Sequence, residues 1–457
     1  MTKRKTVAFH SARCVRRRTW HGWMPSMLLM PLMRSTPPFW MPARPSLPWP
    51  NDQIREVPRR RITDPQAHAA PCPPAQALDV ERRRCAAVHE RRHVVAAHDD
   101  LEVHPRVRVG LRQHRLLVLA VAIVLGVVAM RTTLSAQGAV VTDSVSSPGL
   151  VQNVVGDSAV RRTLVYLPPS YQREATRRYP VVYLLHGATS LPQEWVDGSY
   201  QGLDLRVALD SLIGASAIPE LIVVMPDANN KLGAGFYANS AATGNWEDFV
   251  VHDLVDHVDR RYRTDARASK RALVGHSMGG FGAFNIGFEH PDVFGFIYAI
   301  SPCCIGFVGR TGPSQAWAAL SRIKRWQDAP GNVYLLLGMA AALDGSRTDP
   351  RLFTELPFDV SRDSTVVANA SVQARWRARM PPDRASAMVR RGVRPPMIVM
   401  ESGSEETQLR LGIEVLRARL DSLGIRYADT TFTGGHIDRV RERLTQHVLP
   451  TVGKWFR

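Results

Sequence analysis

Three short stretches carry residue types that could do chemistry together: Gly275-His276-Ser277-Met278-Gly279-Gly280, the acidic run Glu401-Ser402-Gly403-Ser404-Glu405-Glu406, and Gly434-Gly435-His436. The first sets Gly-x-Ser-x-Gly between a short apolar run at 272–275 and a helical stretch at 281–288, the strand–turn–helix setting of a nucleophile elbow. A serine at so tight a turn needs neighbours without a Cβ, and the helix N-terminus beside it favours a developing negative charge. The serine hydroxyl also needs a base, and in this architecture acid and histidine follow it in the chain. His436 fits, because Gly434-Gly435-His436 follows directly after a predicted strand at 427–432 and its two glycines let a loop aim the imidazole. The other histidines have structural explanations: His252 and His257 lie on the outside of a predicted helix, His290 precedes Pro291 at a helix end, and His447 falls in the terminal helix. Three carboxylates compete as the acid. Glu401 ends a strand, whereas Glu405 and Glu406 lie beyond the Gly403 turn, and spacing does not choose between them. The chemistry implied is acyl transfer through Ser277, with the amide of Met278 as one donor to the oxyanion.

The elements that must position these groups alternate. Strands are predicted at 163–167, 181–185, 221–225, 272–275 and 294–300, with helices at 202–213 and 249–258 between them. Continuous apolar strands interleaved with amphipathic helices indicate an α/β fold with a mostly parallel central sheet covered on both faces. Between about 303 and 395 the alternation loosens into a helical insertion, with helices at 333–343 and 372–380. It resumes with a strand at 397–400, a helix at 407–423, a strand at 427–432 and a terminal helix from 437. Residues 137–457 therefore read as one catalytic domain. Cys303 and Cys304 follow the 294–300 strand. Adjacent cysteines can close a vicinal disulfide, but two small, partly buried thiols are the expectation.

Composition bears on the rest of the chain. The 457 residues carry a net charge of +18, but residues 1–136 hold 23 Lys and Arg against 9 Asp and Glu, or +14, leaving +4 on the remaining 321. Residues 1–106 are rich in proline and arginine, show no helical or strand period and cannot build a core, so they read as disordered or as lying upstream of the true start. A basic nucleic-acid-binding arm is the competing reading, and no nucleic-acid partner is expected. Residues 107–136 combine Arg108, Arg112 and Arg115, an apolar run at 116–130 and a small-residue exit at Ser135-Ala136, the pattern of a signal peptide or an uncleaved N-terminal anchor, with translation starting near Val107 or Val109. Five cysteines exclude a disulfide scaffold. No metal motif and no glycine-rich phosphate loop occurs, so no metal and no cofactor is expected.

Residues 147–457 resemble the putative esterase family of α/β-hydrolases, which includes esterase D, feruloyl esterases, enterochelin esterases and the antigen 85 mycolyltransferases. The matching stretches are Val165-Tyr166-Leu167-Pro168-Pro169-Ser170-Tyr171, Tyr179-Pro180-Val181-Val182-Tyr183-Leu184-Leu185-His186-Gly187, Met225-Pro226-Asp227, the elbow, His290-Pro291-Asp292-Val293-Phe294 and Gly434-Gly435-His436. In the family the acid follows a Gly-x-x-Asp pattern, which here falls on Gly403-Ser404-Glu405-Glu406. The resemblance thus favours Glu406, with Glu in place of Asp as in the antigen 85 branch. It also implies a second oxyanion donor after His186-Gly187, the amide of Ala188. Trp195, Tyr237 and Trp246, in loops that follow strands, are candidates to line an acyl or sugar pocket.

The expectation is an exported serine esterase, secreted or periplasmic, acting on a small-molecule or carbohydrate-linked ester. It meets a membrane only if residues 116–130 stay attached. Two rivals stand beside it: acyl transfer to a carbohydrate or lipid acceptor, as in antigen 85, and a non-catalytic envelope- or carbohydrate-binding protein that kept the fold.

Overall fold

The structure, a computed structural model, describes residues 137–457. The basic segment 1–106 and the apolar run with its flanks, 107–136, lie outside the described residues. Eight strands form one sheet: β1 (Ala139–Ser146), β2 (Val160–Leu167), β3 (Val181–Leu185), β4 (Ile222–Pro226), β5 (Arg271–His276), β6 (Phe296–Ile300), β7 (Met397–Gly403) and β8 (Ala428–Phe432). Their order is β1-β2-β4-β3-β5-β6-β7-β8. Only β2 runs against its neighbours: it pairs antiparallel with β1 and β4, and every pair from β4 to β8 is parallel.

The apolar content of the central strands follows from burial on both faces. Every residue of β3, β4 and β6 is buried, so these strands show no alternation with solvent. The two faces feed two separate cores, with Tyr183, Leu185, Leu273 and Ile297 in one and Val182, Leu184, Val274 and Ile300 in the other. β1, at the sheet edge, is mostly exposed or half-buried, and its sequence AVVTDSVS carries no apolar run that would announce it.

Helix α1 (Leu205–Gly214) follows β3 and starts on Asp204, whose side chain accepts from the amide of Val207. A helical segment with a π-turn at Phe249–Leu254 continues into α2 (Val255–Arg261) ahead of β5. Helix α3 (Met278–Glu289) leaves β5 directly and is buried on all sides up to Phe288. That closeness demands glycine: a Cβ on Gly282 would lie 2.5 Å from the Tyr237 ring, and one on Gly287 would lie 2.4 Å from Ile297.

The insertion between β6 and β7 holds α4 (Gln315–Ser321), α5 (Gly331–Leu343), α6 (Ala370–Arg377) and α7 (Pro381–Arg390), with a small antiparallel ribbon, Phe358–Val360 against Val366–Ala368. Its core is aromatic, with Trp317, Phe358, Trp376 and Phe307 in mutual ring contact. The helix expected at 372–380 is α6, which ends at Arg377, and α7, which the sequence reading did not place, follows it from Pro381. Pro381 and Pro382 cannot continue a helix from Met380 but suit the first turn of the next. Helix α8 (Thr407–Ser422) joins β7 to β8, and α9 (Val440–Arg443) begins the C-terminal helical run. That run starts later than 437 because Arg439 takes a left-handed conformation, with φ of 60°. Among the described residues no helix is long and apolar enough to cross a membrane.

Candidate active site

Ser277 stands between β5 and α3 with φ of 57° and ψ of −117°, a strained conformation for a residue with a side chain. The surroundings impose it. A Cβ on Gly275 would fall 2.0 Å from the carbonyl oxygen of Gly279, and one on Gly279 would fall 2.1 Å from that of Leu185. The main chain of Ser277 is then tied down: its N–H donates to Ile300 O at 3.0 Å, and its carbonyl accepts from Phe281 at 3.0 Å and Cys303 at 3.2 Å.

The loop after β8 brings His436 to this serine, with Nε2 at 2.8 Å from Ser277 Oγ. On the other side of the ring, Nδ1 lies 2.5 Å from Glu406 Oε1. The Glu406 side chain is 2% exposed and that of His436 is 33% exposed. The second carboxylate oxygen accepts from Ser301 Oγ at 2.7 Å and from the Gly403 amide at 2.5 Å. Burial works to raise the Glu406 pKa, but the hydrogen bonds from His436, Ser301 and Gly403 outweigh it and hold the carboxyl below its ordinary value.

Of the three competing carboxylates, geometry brings only Glu406 to His436. Glu405 is exposed. Glu401 is fully buried but committed elsewhere, to the Arg443 guanidinium at 2.5 and 3.1 Å and the Tyr298 hydroxyl at 2.9 Å. The other histidines are placed away from Ser277: His257 Nε2 lies 2.9 Å from Asp143, and His290 Nε2 lies 3.0 Å from Glu247.

The amide of Met278 opens α3, and Ala188 follows Gly187, where a Cβ would come 3.4 Å from that of Ser277. Among the described residues neither amide donates to a protein acceptor, so both remain available to an oxyanion. The loop that carries Ala188 is held by His186. Its Nδ1 donates to Gly187 O at 2.7 Å and its Nε2 accepts from the Ala228 amide at 3.0 Å. Burial pushes the His186 pKa down and keeps the ring neutral, as this pattern of one donor and one acceptor requires.

The aromatic residues expected to line a pocket do not do so. Trp195, Tyr237 and Trp246 are at most 1% exposed and belong to the two cores. Tyr237 donates to the carbonyl of His186 at 3.0 Å, and so supports the loop from behind. Trp246 donates to Thr243 O at 2.9 Å and lies under the Arg161 guanidinium. Trp195 packs on Tyr200, ring centres 5.1 Å apart. Loops after strands fold back over the sheet here, so their large aromatics bury. Cys303 and Cys304 are free and buried.

Sequence reasoning gave no role to four residues at the site: His186 and His276, named only as parts of motifs, and Tyr200 and Ser301. Two of them carried a signal, since a histidine ending each of two apolar strands is a polar group where the sheet is driest.

A sheet in the order 1-2-4-3-5-6-7-8 with β2 reversed, and a serine elbow between the fifth strand and the next helix, defines an α/β-hydrolase. The model of the family described as "Putative esterase" matches residues 159–436, and the chain belongs to that family. Esterase Rv1288 of Mycobacterium tuberculosis is 26% identical over 285 residues, which cover 60% of this chain and 52% of that protein. The chain thus matches about half the length of that relative. An endo-1,4-beta-xylanase/feruloyl esterase of Xylanibacter ruminicola is 32% identical over 136 residues, 29% of this chain and 18% of that one. Among solved structures, a ferulic acid esterase aligns over 70% of this chain and 99% of its own, with 22% identity and a TM-score of 0.47. An S-formylglutathione hydrolase from Agrobacterium tumefaciens aligns over 71% and 96%, with 19% identity and a TM-score of 0.44.

Proposed function

We propose that this chain hydrolyses carboxylic esters by a serine mechanism through an acyl-enzyme. One observation carries the reading: the unbroken line from Glu406 through His436 to Ser277, with contacts of 2.5 and 2.8 Å. Ser277 Oγ attacks the ester carbonyl as His436 Nε2 takes its proton. The imidazolium so formed is held by Glu406, which accepts from Nδ1–H and keeps the ring in the tautomer whose Nε2 is free to act as base. Negative charge on the former carbonyl oxygen meets the amides of Met278 and Ala188 and the N-terminus of α3. His436 then passes the proton to the leaving alkoxide, and a water activated by the same imidazole releases the acid. The stretch at 116–130, with the arginines before it, is proposed as an export signal that delivers residues 137–457 outside the cytoplasm as the catalytic domain.

The test is hydrolysis of p-nitrophenyl acetate and labelling by a fluorophosphonate probe, in the wild type and in Ser277→Ala. The wild type should turn over and label at Ser277. The variant should lose labelling and at least about a thousandfold in kcat while keeping its melting temperature. Turnover retained in Ser277→Ala would sink the mechanism.

A further inference from the structure

The loop between Trp195 and α1 touches the site through Tyr200 and Gln201. It is closed on itself, with Gly202 N–H donating to Gly198 O at 2.8 Å and Leu203 N–H to Tyr200 O at 3.0 Å. From it, the Tyr200 hydroxyl reaches Nδ1 of His276 at 2.6 Å, and Nε2 of His276 lies 2.8 Å from the main-chain carbonyl of His436. A carbonyl oxygen can only accept, so Nε2 carries the proton, Nδ1 is the acceptor, and Tyr200 must donate. The next residue, Gln201, donates from Nε2 to the carbonyl of Ile437, and its Oε1 accepts from the amide of Val440 at 3.0 Å. The rings of His276 and His436 lie 4.9 Å apart, and burial together with that neighbour drives the His276 pKa down to about 3, which keeps it neutral.

We propose that Tyr200 and Gln201 form a clamp that positions the base: Tyr200 acts through neutral His276 on the backbone of His436, and Gln201 acts on the backbone of Ile437 and Val440 just after it. Gly434 and Gly435 make the loop free to move, and Gly434 holds φ of 134°, open only to glycine. Such a loop aims an imidazole only if its main chain is fixed elsewhere. The clamp supplies that fixation on one flank, and the hydrogen bond from Glu405 N–H to Gly434 O at 3.0 Å supplies it on the other. Tyr200 and Gln201 are thus positioning residues, and this role rests on the reading of His436 as the base.

The experiment combines kinetics on p-nitrophenyl acetate with hydrogen–deuterium exchange of the 433–440 segment in Tyr200→Phe, Gln201→Ala, His276→Ala and His276→Gln. Each of the first three removes a hydrogen bond that holds the loop, so kcat should fall about five- to tenfold with KM within about twofold, and exchange in the segment should quicken. His276→Gln keeps both a donor for the His436 carbonyl and an acceptor for Tyr200, and should recover most of the loss seen in His276→Ala. Unchanged exchange in Tyr200→Phe and Gln201→Ala overturns the clamp. Faster exchange with wild-type kcat, or a loss confined to KM, overturns its role in positioning the base. A wild type that neither labels nor turns over would strike the triad itself, and the exchange data would still decide whether the loop is clamped.

Discussion

Replacing Glu406 by Gln keeps the shape of the site and changes one oxygen for an NH2 group, and the structure dictates where that group must go. One carboxylate oxygen faces the amide of Gly403 at 2.5 Å and the hydroxyl of Ser301 at 2.7 Å. The serine hydroxyl can rotate to accept, but the Gly403 amide can only donate. An NH2 turned toward Gly403 would set donor against donor in a place where the side chain is 2% exposed, at a cost of about 1–3 kcal/mol. The amide oxygen therefore takes that place and the NH2 faces His436 Nδ1, which becomes an acceptor. The ring proton moves to Nε2, the nitrogen that has to receive the proton of Ser277. The variant holds the base in the wrong tautomer and also lacks the charge that stabilises the imidazolium. By analogy with the same change in a serine protease triad, kcat/KM should fall by about 10³ to 10⁴, or about 4–5.5 kcal/mol of transition-state stabilisation. The assay is p-nitrophenyl acetate hydrolysis with thermal melting as the check on folding, and Glu405→Gln as the control, since that exposed side chain should change the rate by less than about twofold. Glu406→Gln retaining more than about a tenth of the wild-type rate, or Glu405→Gln showing the large loss, would refute the assignment of the acid.

Gly279→Ala should abolish both folding yield and labelling, because its Cβ would stand 2.1 Å from the carbonyl oxygen of Leu185; a soluble, active variant would show that the elbow is looser than this packing implies. Arg443→Leu leaves the fully buried Glu401 without its Arg443 partner and should cost about 3–5 kcal/mol in urea unfolding; a shift below about 1 kcal/mol would show that this pair does not hold the fold together. Acid should weaken the fold from pH 6.5 downward, because His276 has its pKa lowered from 6.5 to about 3 and the unfolded chain therefore takes up the proton first. The stability it contributes is complete above 6.5 and is lost as pH falls toward 3, about 2 kcal/mol of it between pH 7 and pH 5, and His276→Gln should remove that part of the slope. Glu406 acts only at lower pH: its lowered pKa stabilises the fold above the ordinary glutamate value of 4.5 and ceases to do so as pH falls below it, so the acid loss in Glu406→Gln should match the wild type above pH 5 and be shallower beneath it.

The parts of the fold written most plainly in the sequence are those whose burial leaves no choice of residue. β3, β4 and β6 are apolar on both faces, so their positions follow from composition alone, and β5 with α3 follows from the glycines that the elbow requires. β1 left no such trace because an edge strand needs no continuous apolar run. The choice between Glu405 and Glu406 turned on the direction of a bend, which is set across the chain: a Cβ on Gly403 would lie 2.3 Å from the carbonyl of Gly434, and that contact between two distant loops fixes which carboxylate points inward. Spacing within one loop holds no such information. The aromatics Trp195, Tyr237 and Trp246 misled for a related reason. Their positions after strands are those of pocket residues, but whether a loop opens outward or folds back over the sheet is decided by what it packs against.

His186 and His276 show how the sheet prepares the site. They end adjacent parallel strands, directly after the paired residues Leu185 and Gly275. Each is 1–2% exposed, each has its pKa lowered by burial, and each makes one hydrogen bond as donor and one as acceptor. A neutral imidazole so placed is a rigid spacer that donates to a main-chain carbonyl: His186 braces the loop of Ala188, and His276 braces the loop of His436. Protonation of His186 would set a second N–H against that of Ala228, and protonation of His276 would force the Tyr200 hydroxyl to turn and accept in a buried site, so the fold resists it at both. Of these three rings only His436 combines partial exposure with a carboxylate on its Nδ1. In the proposed mechanism, the positive charge that forms during proton transfer from Ser277 therefore has one place to settle, against Glu406, and the two buried histidines hold the geometry without competing for the proton.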